Sequence, residues 1–314
     1  MTSTPLPLQE LRATQMAEPV AAEFRLPLDA LQARFGASLA AVLLYGSCRR
    51  QQDVTDGVVD LYVIVDEYSR AYPGRWLCWL NGALPPNVFY LEVPAGNVPL
   101  RVKYAVVSRA DFERGNRDAF HSYFWARFCQ PVTLLLVRDT QTSQWIAGVL
   151  AQAVLRFLGE TIPMLEAQPF TAGALWIRGF QLTYAAELRP EGTDRAELLV
   201  QQDAAYYQRA MIAASSFLAG IKPAQGHSYR VEGSEGAKSA CRRAWRWRRW
   251  LGIVLSLLRL AKATFTFTGG VDYAAWKVER HTGVHIHVTP QLRRFPLLFG
   301  WQVMWQLLRR GALR

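Results

Sequence analysis

Leu44-Tyr45-Gly46-Ser47-Cys48-Arg49-Arg50, followed by Gly57-Val58-Val59-Asp60-Leu61-Tyr62-Val63-Ile64-Val65-Asp66, is the stretch whose reading decides the fold. An apolar run from Leu39 stops abruptly at Tyr45-Gly46-Ser47, and after a polar loop Asp60 opens a second run of β-branched and aromatic residues. Two strands joined by a polar loop fit this pattern best. A Gly-Ser corner offers an anion backbone N–H groups and a hydroxyl, because glycine lets the main chain approach a phosphate closely. A carboxylate at the start of the next strand can hold a divalent cation against that phosphate. The plainer reading is a hairpin in which Ser47 and Asp60 are incidental.

The 314 residues, 51% hydrophobic and 19% charged, suffice for one large or two ordinary domains with real cores. The net charge of +11 is unevenly placed. From Cys241 to Arg314 there are 14 Lys/Arg against Asp272 and Glu279, a net of +12, and the rest of the chain is close to neutral. A basic, aromatic-rich segment on a neutral body points to an anionic surface, phospholipid or nucleic acid. Cys48, Cys78, Cys129 and Cys241 lack metal-ligand spacing and read as reduced, intracellular residues. The first residues, Met1 to Val20, have neither the apolar core of a signal peptide nor the basic charge of a transit peptide. No uninterrupted apolar run reaches the roughly 18 to 20 residues that span a bilayer. A soluble or peripheral protein is expected.

Along the chain, residues 1–26 read as poorly ordered, with a short helix from Leu8 to Met16, and Leu28 to Phe35 fits one amphipathic helix. After Asp66, Ser69 to Leu80 reads as a helix despite Pro73, with Tyr72, Trp76 and Trp79 on one face, more in keeping with core than with a stacking site. Asn87 to Val93 and Leu100 to Val107 are strand-like and separated by a Pro-Gly turn. Arg101 and Lys103 share a strand face, which calls either for anions opposite them or for a solvated edge. Phe120 to Phe128 reads as a short aromatic helix and Pro131 to Val137 as a last strand. Beyond it the period changes: Trp145 to Leu158, Ala172 to Leu188 and Ala196 to Leu218 are helical, and Gly220 to Gly236 reads as a loop or linker. The fold class is therefore α+β. A nucleotidyltransferase-like mixed-sheet domain is expected over 1–140, an all-α domain over 141–235, and a basic amphipathic, membrane-associating segment over 236–314.

That last segment mixes Trp245, Trp247 and Trp250 with arginines, then turns aliphatic from Leu251 to Leu258, and the chain end repeats the theme. Interfacial helices combine such apolar burial with basic residues near anionic headgroups. The plainer alternative is a helical core with solvated arginines. His281, His285 and His287 stand close together without a further Cys or His nearby, and do not make a zinc motif.

Several of these pieces resemble the mitochondrial translocator assembly and maintenance family, phosphatidate cytidylyltransferases of the polymerase-β nucleotidyltransferase type. Tyr45-Gly46-Ser47 with Gln52 is similar to that family's YGS…Q element, Asp60 to Asp66 to its DF(x)₃VD strand, and Val102 to Ser108 to its IKYGVIS strand. Gln130-Pro131-Val132 resembles a QKPV turn, and Lys262 to Gly270 with Tyr273 to Lys277 a KG…TAG…YAWK segment. The pieces follow the family's order over about residues 44 to 280. Cys48 stands where the family has a glycine, and Ala263 breaks the KG pair.

The resemblance implies a bacterial relative that makes CDP-diacylglycerol and pyrophosphate from CTP and phosphatidate. On that reading Tyr45, Gly46, Ser47 and Gln52 hold the nucleotide, Asp60 and Lys103 are catalytic, and Lys262 binds an anionic substrate. Mg²⁺ would be held by Asp60. The wider superfamily carries a second acid two residues earlier, where this chain has Val58. Phosphatidate, with a second pKa near ~6, arrives already ionised and has less need of that acid than a hydroxyl has. Asp66 lies roughly 20 Å along an extended strand from Asp60, which leaves Glu92 as the better second ligand. The expected location is cytoplasmic, peripheral on the inner face of the membrane, with CTP, phosphatidate and an anionic membrane surface as partners. Two alternatives stand beside this: a soluble nucleotidyltransferase acting on RNA or a small hydroxylated acceptor, and a non-catalytic scaffold.

Overall fold

The computed structural model describes residues 6–51, 58–96, 99–165, 169–187, 194–219, 221–226, 228–231, 235–266 and 287–291. Gln52, His281, His285, the 269–277 part of the tail motif and the chain end lie outside them. The architecture is α+β, with a mixed five-stranded sheet followed by helices.

The sheet is built from β1 (Leu39–Tyr45), β2 (Val59–Val65), β3 (Asn87–Val93), β4 (Leu100–Ser108) and β5 (Thr133–Val137), in the order β3-β4-β2-β1-β5. β1 and β2 are antiparallel and joined through the short helix α3 (Ser47–Gln51), whereas β2 and β4 run parallel. Because side chains alternate along a strand, β2 feeds two cores. Tyr62 and Ile64 face one, with Leu43, Ala105 and Val107; Val59, Leu61, Val63 and Val65 face the other, with Val42, Val102 and Tyr104. The second core is closed by α2 (Leu28–Phe35) and by α4 (Tyr68–Ala71).

The first core runs on without a break into the helical half. α8 (Thr140–Thr161), capped by the Asp139 carboxylate accepting from the Thr142 N–H at 2.6 Å, is its axis. It packs against α6 (Arg109–Arg117), α7 (Trp125–Phe128) and α9 (Ala172–Ala185). α8 is long and apolar enough to cross a membrane by length and composition, and most of that window is buried inside the protein. The expected boundary near Thr140 thus marks a change of element type, while Leu43, Tyr62, Phe157, Trp176 and Tyr207 share one core across it.

Four expectations need correction. The N-terminus is packed, not poorly ordered: the expected short helix is present as α1 (Leu6–Met16) and buries Leu8 and Met16. Buried Arg12 on it donates to the Tyr206 hydroxyl and to the carbonyls of Phe128 and Gln130 at 3.3 and 3.0 Å, bonds that no hydrophobic pattern announces. The 69–80 helix breaks at Pro73 into α4 and α5 (Arg75–Ala83), and the break turns Trp76 and Trp79 outward. They stack on each other at 5.4 Å and are 59% and 62% exposed, so they are not core. The 196–218 helix is two, α10 (Asp194–Gln202) and α11 (Ala204–Ser215), interrupted at Asp203. Finally, the supposed linker forms β7 (Ile221–Ala224) and β8 (Ser228–Val231), which pair with β6 (Phe170–Thr171) in a second sheet.

The basic segment also behaves differently from a free amphipathic arm over its described part. α12 (Glu235–Thr266) lies on the body along one face. Trp245 is buried and donates to the Glu160 carbonyl at 2.9 Å; buried Arg248 pairs with the Glu160 carboxylate at 2.8 Å and donates to the Phe120 carbonyl at 2.7 Å. The opposite face stays apolar and exposed, with Trp247, Trp250, Leu257, Leu258, Leu260 and Phe265.

Candidate active site

β1 delivers Tyr45 opposite Asp60 of β2, Asp60 opposite Lys103 of β4, and Lys103 opposite Tyr90 of β3. Register partners on adjacent strands point to the same face, so these four side chains form one row across the sheet. Lys103 Nζ lies 2.5 Å from Asp60 Oδ1, with both side chains partly exposed. The next pair along, Arg101 and Glu92, is also in register, at 3.7 Å, and Glu92 accepts a hydrogen bond from the Tyr90 hydroxyl at 2.6 Å. The two cations on one face of β4 therefore do have anions opposite them.

The chain turns out of β1 at Gly46, whose φ of +84° is a left-handed value that glycine adopts without steric cost. A Cβ there would stand 3.2 Å from Asp60 Oδ2, so the glycine also leaves that carboxylate uncovered. Ser47 is half-buried, and its hydroxyl has no hydrogen-bond partner among the described residues. The turn is pinned from behind: buried Arg49 donates to both carboxylate oxygens of Asp203 at 2.9 Å, at the interruption between α10 and α11. Sequence reading passed over Arg49 and Asp203, which are far apart in the chain and meet only in the fold.

Beneath the row sits an aromatic and cationic layer. Tyr45 and Tyr62 have ring centroids 5.0 Å apart, and Phe124 packs on both Tyr62, at 6.2 Å, and Tyr123, at 5.3 Å. Burial, with Asp60 nearby, pushes the Tyr45 hydroxyl well above its ordinary pKa; Lys103, Arg127 and Tyr123 also act on it. Arg127 Cζ lies 4.1 Å from the centre of the Tyr123 ring and Arg259 Cζ 3.7 Å from it. Arg127 is tied to Glu187 at 3.6 Å and to the Tyr123 carbonyl at 2.8 Å. Burial, with Arg259 beside it, pulls His121 down to about 4.

Two expected residues are placed elsewhere. Glu92 lies two strands from Asp60, which at strand spacing is ~10 Å across the sheet, and two residues further along. With Lys103 and Arg101 between them, the two carboxylates do not converge on one ion, and Glu92 is corrected as a second ligand. Asp66, at the far end of β2, is engaged by Arg138 at 2.6 and 3.0 Å, which lowers its pKa. Lys262 is buried, with Nζ donating to the carbonyls of Leu84 and Pro86, the latter at 2.7 Å. Desolvation, with Arg259 adding to it, brings it down to about 7. It docks α12 onto the 84–86 turn and does not face the Gly46–Asp60 corner.

Among the described residues no group of three or more His, Cys, Asp or Glu converges on a metal position. Magnesium, however, is commonly held through one or two carboxylates together with substrate phosphates. The uncovered Oδ2 of Asp60 beside Gly46 fits that minimal arrangement. No protein-family model matches the chain, and no curated protein matches it.

Proposed function

We propose that the protein is a CTP:phosphatidate cytidylyltransferase working at a membrane surface. The observation that carries the reading is the placement of the Gly46-Ser47 turn directly against the Asp60–Lys103 pair, at the open end of the sheet. Tyr45, Gly46 and Ser47 would position the CTP phosphates. Asp60 would hold Mg²⁺, which when bound neutralises charge on the triphosphate.

The phosphatidate oxygen, already anionic near neutral pH, attacks the α-phosphorus in line. A bond forms from that oxygen to phosphorus, the bond to the bridging oxygen breaks, and pyrophosphate leaves with the electron pair. No base is required to generate this nucleophile. Lys103 stabilises the charge that accumulates during transfer. Asp60 and Lys103 neutralise one another in the free protein. A cation at the first and an anion at the second therefore favour each other's binding. The exposed apolar face of α12, with Arg242, Arg243, Arg246 and Arg249 towards one end, supports attachment to an anionic bilayer.

Purified protein incubated with phosphatidate liposomes and each labelled nucleotide in turn tests this. Label from CTP appearing in lipid is expected. Transfer to RNA or to a soluble hydroxyl instead, or no binding of CTP with Mg²⁺, would replace the proposal with one of its alternatives.

A further inference from the structure

We infer that Arg259, with Arg127 against the same Tyr123 ring, forms the recognition site for the phosphomonoester of the lipid acceptor. The inference rests on the function proposed above and adds to it residues that no motif marked. Two guanidinium groups lie against one aromatic ring, at 3.7 and 4.1 Å, and that ring packs on Phe124, which packs on Tyr62, which in turn packs on Tyr45 of the turn. The Tyr45 hydroxyl senses Asp60, Lys103, Arg127 and Tyr123 together, so the layer adjoins the row of candidate catalytic residues.

The two arginines are not equivalent. Arg127 has its carboxylate, Glu187, and the Tyr123 carbonyl. Arg259 is half-buried and donates from Nε to the Pro85 carbonyl at 3.3 Å; its two terminal nitrogens make no hydrogen bond among the described residues. Holding a guanidinium by its Nε and by ring stacking fixes the plane while leaving the forked end for a partner, and that fork matches the oxygens of a phosphate.

The choice of the lipid phosphate over the nucleotide follows from the element that carries Arg259. It is on the inner face of α12, and the outer face of the same stretch exposes Leu257, Leu258, Leu260 and Phe265. A helix bound to a bilayer by that outer face would bring Arg259 to headgroup depth, where a phosphatidate is found.

The test uses soluble dioctanoyl phosphatidate, dioctanoylglycerol and CTP as separate probes, by titration calorimetry on the full chain. Arg259→Gln should weaken dioctanoyl phosphatidate binding at least tenfold, with Arg259→Lys intermediate, while the affinity for CTP changes less than twofold. Dioctanoylglycerol, which lacks the phosphate, should bind equally poorly to all three proteins. An equal loss towards CTP, or no loss towards dioctanoyl phosphatidate, overturns the inference. Near-UV circular dichroism confirms that the variants are folded, and the Lys variant guards against a purely structural loss. If the wild-type protein binds dioctanoyl phosphatidate through Arg259 but forms no CDP-lipid, the proposed function fails and this site stands. If CDP-lipid forms and Arg259→Gln leaves the KM for phosphatidate unchanged, the site fails and the function stands.

Discussion

The open end of the central sheet and the seam between α12 and the body are both rich in charge, and they use it in opposite ways. At the seam, Arg248 is discharged by the Glu160 carboxylate and the Phe120 carbonyl, and Lys262 by the carbonyls of Leu84 and Pro86. Arg248 keeps one buried nitrogen, Nη1, without a partner among the described residues, and Lys262 is held by both carbonyls. At the sheet end, Asp60 and Lys103 are partly exposed, Gly46 leaves a carboxylate oxygen uncovered, and the Ser47 hydroxyl has no partner among the described residues. A basic residue is therefore not a binding residue by virtue of its charge. What matters is whether the fold has already satisfied it, since a buried ion must be paired and an exposed one can exchange partners.

Substitutions can push on that contrast from either side. The largest effect is expected at the open end, where Asp60→Ala should abolish CDP-lipid formation, because a metal-holding carboxylate contributes several kcal/mol to transfer. The same change should leave the thermal midpoint nearly unmoved, since a partly exposed pair is worth ~0–1 kcal/mol. A variant keeping more than about a tenth of wild-type turnover would remove Asp60 from catalysis. The seam should answer the other way. Arg248→Met strips a partner from Glu160 and should cost about 3 kcal/mol in urea unfolding, with turnover per folded molecule preserved. A cost below about 1 kcal/mol would mean that the seam is not held by this pair.

Two glycines sharpen the comparison further. At Gly252 a Cβ would fall 2.0 Å from the Ala186 carbonyl oxygen, so Gly252→Ala forces α12 off α9 and should destabilise by ~1–3 kcal/mol. Gly46→Ala should cost ~1–2 kcal/mol for its left-handed backbone and lower activity further, by crowding the Asp60 carboxylate. Normal kinetics in that variant would show that the turn tolerates a side chain beside the site.

A further effect is one of pH. Lys262 titrates at about 7 in the folded chain against 10.5 for a free lysine, so through that window the unfolded chain binds a proton that the folded chain lacks. Stability should rise as pH is raised from 7 towards 10 and fall on return. Lys262→Met should flatten this rise in the urea midpoint. His121, at about 4 against 6.5, adds a second rise between those values, seen as acid lability.

Much of the sheet was legible because strand periodicity is local. Asn87–Val93 was read to the residue, Leu100–Ser108 to within one, and β1 and β2 as successive strands, whereas the first part of the segment between them, read as a polar loop, is the short helix α3. The Gly46-Ser47 turn and Asp60 were legible as a corner for the same reason. Trp76, Trp79 and Lys262 were misread, and the burial of Arg12 went unseen, because burial depends on what the rest of the chain brings to a surface. A proline break decided the first two, and carbonyls more than a hundred residues away decided the others.

By itself, then, the sequence determined the alternation of strands, the helical second half, the turn at Gly46 and the concentration of basic charge near the end. Those follow from steric preference and from the periodic placement of apolar residues, which neighbours in the chain settle among themselves. Only the tertiary structure decided that Lys103 meets Asp60, that Glu92 stands two strands away, that Arg49 anchors the turn through Asp203, and that α12 buries Arg248 and Lys262 while bringing Arg259 to the Tyr123 ring. Each of these depends on where the fold places a charge relative to groups distant in sequence. The energy of a charge is set by whatever surrounds it in space.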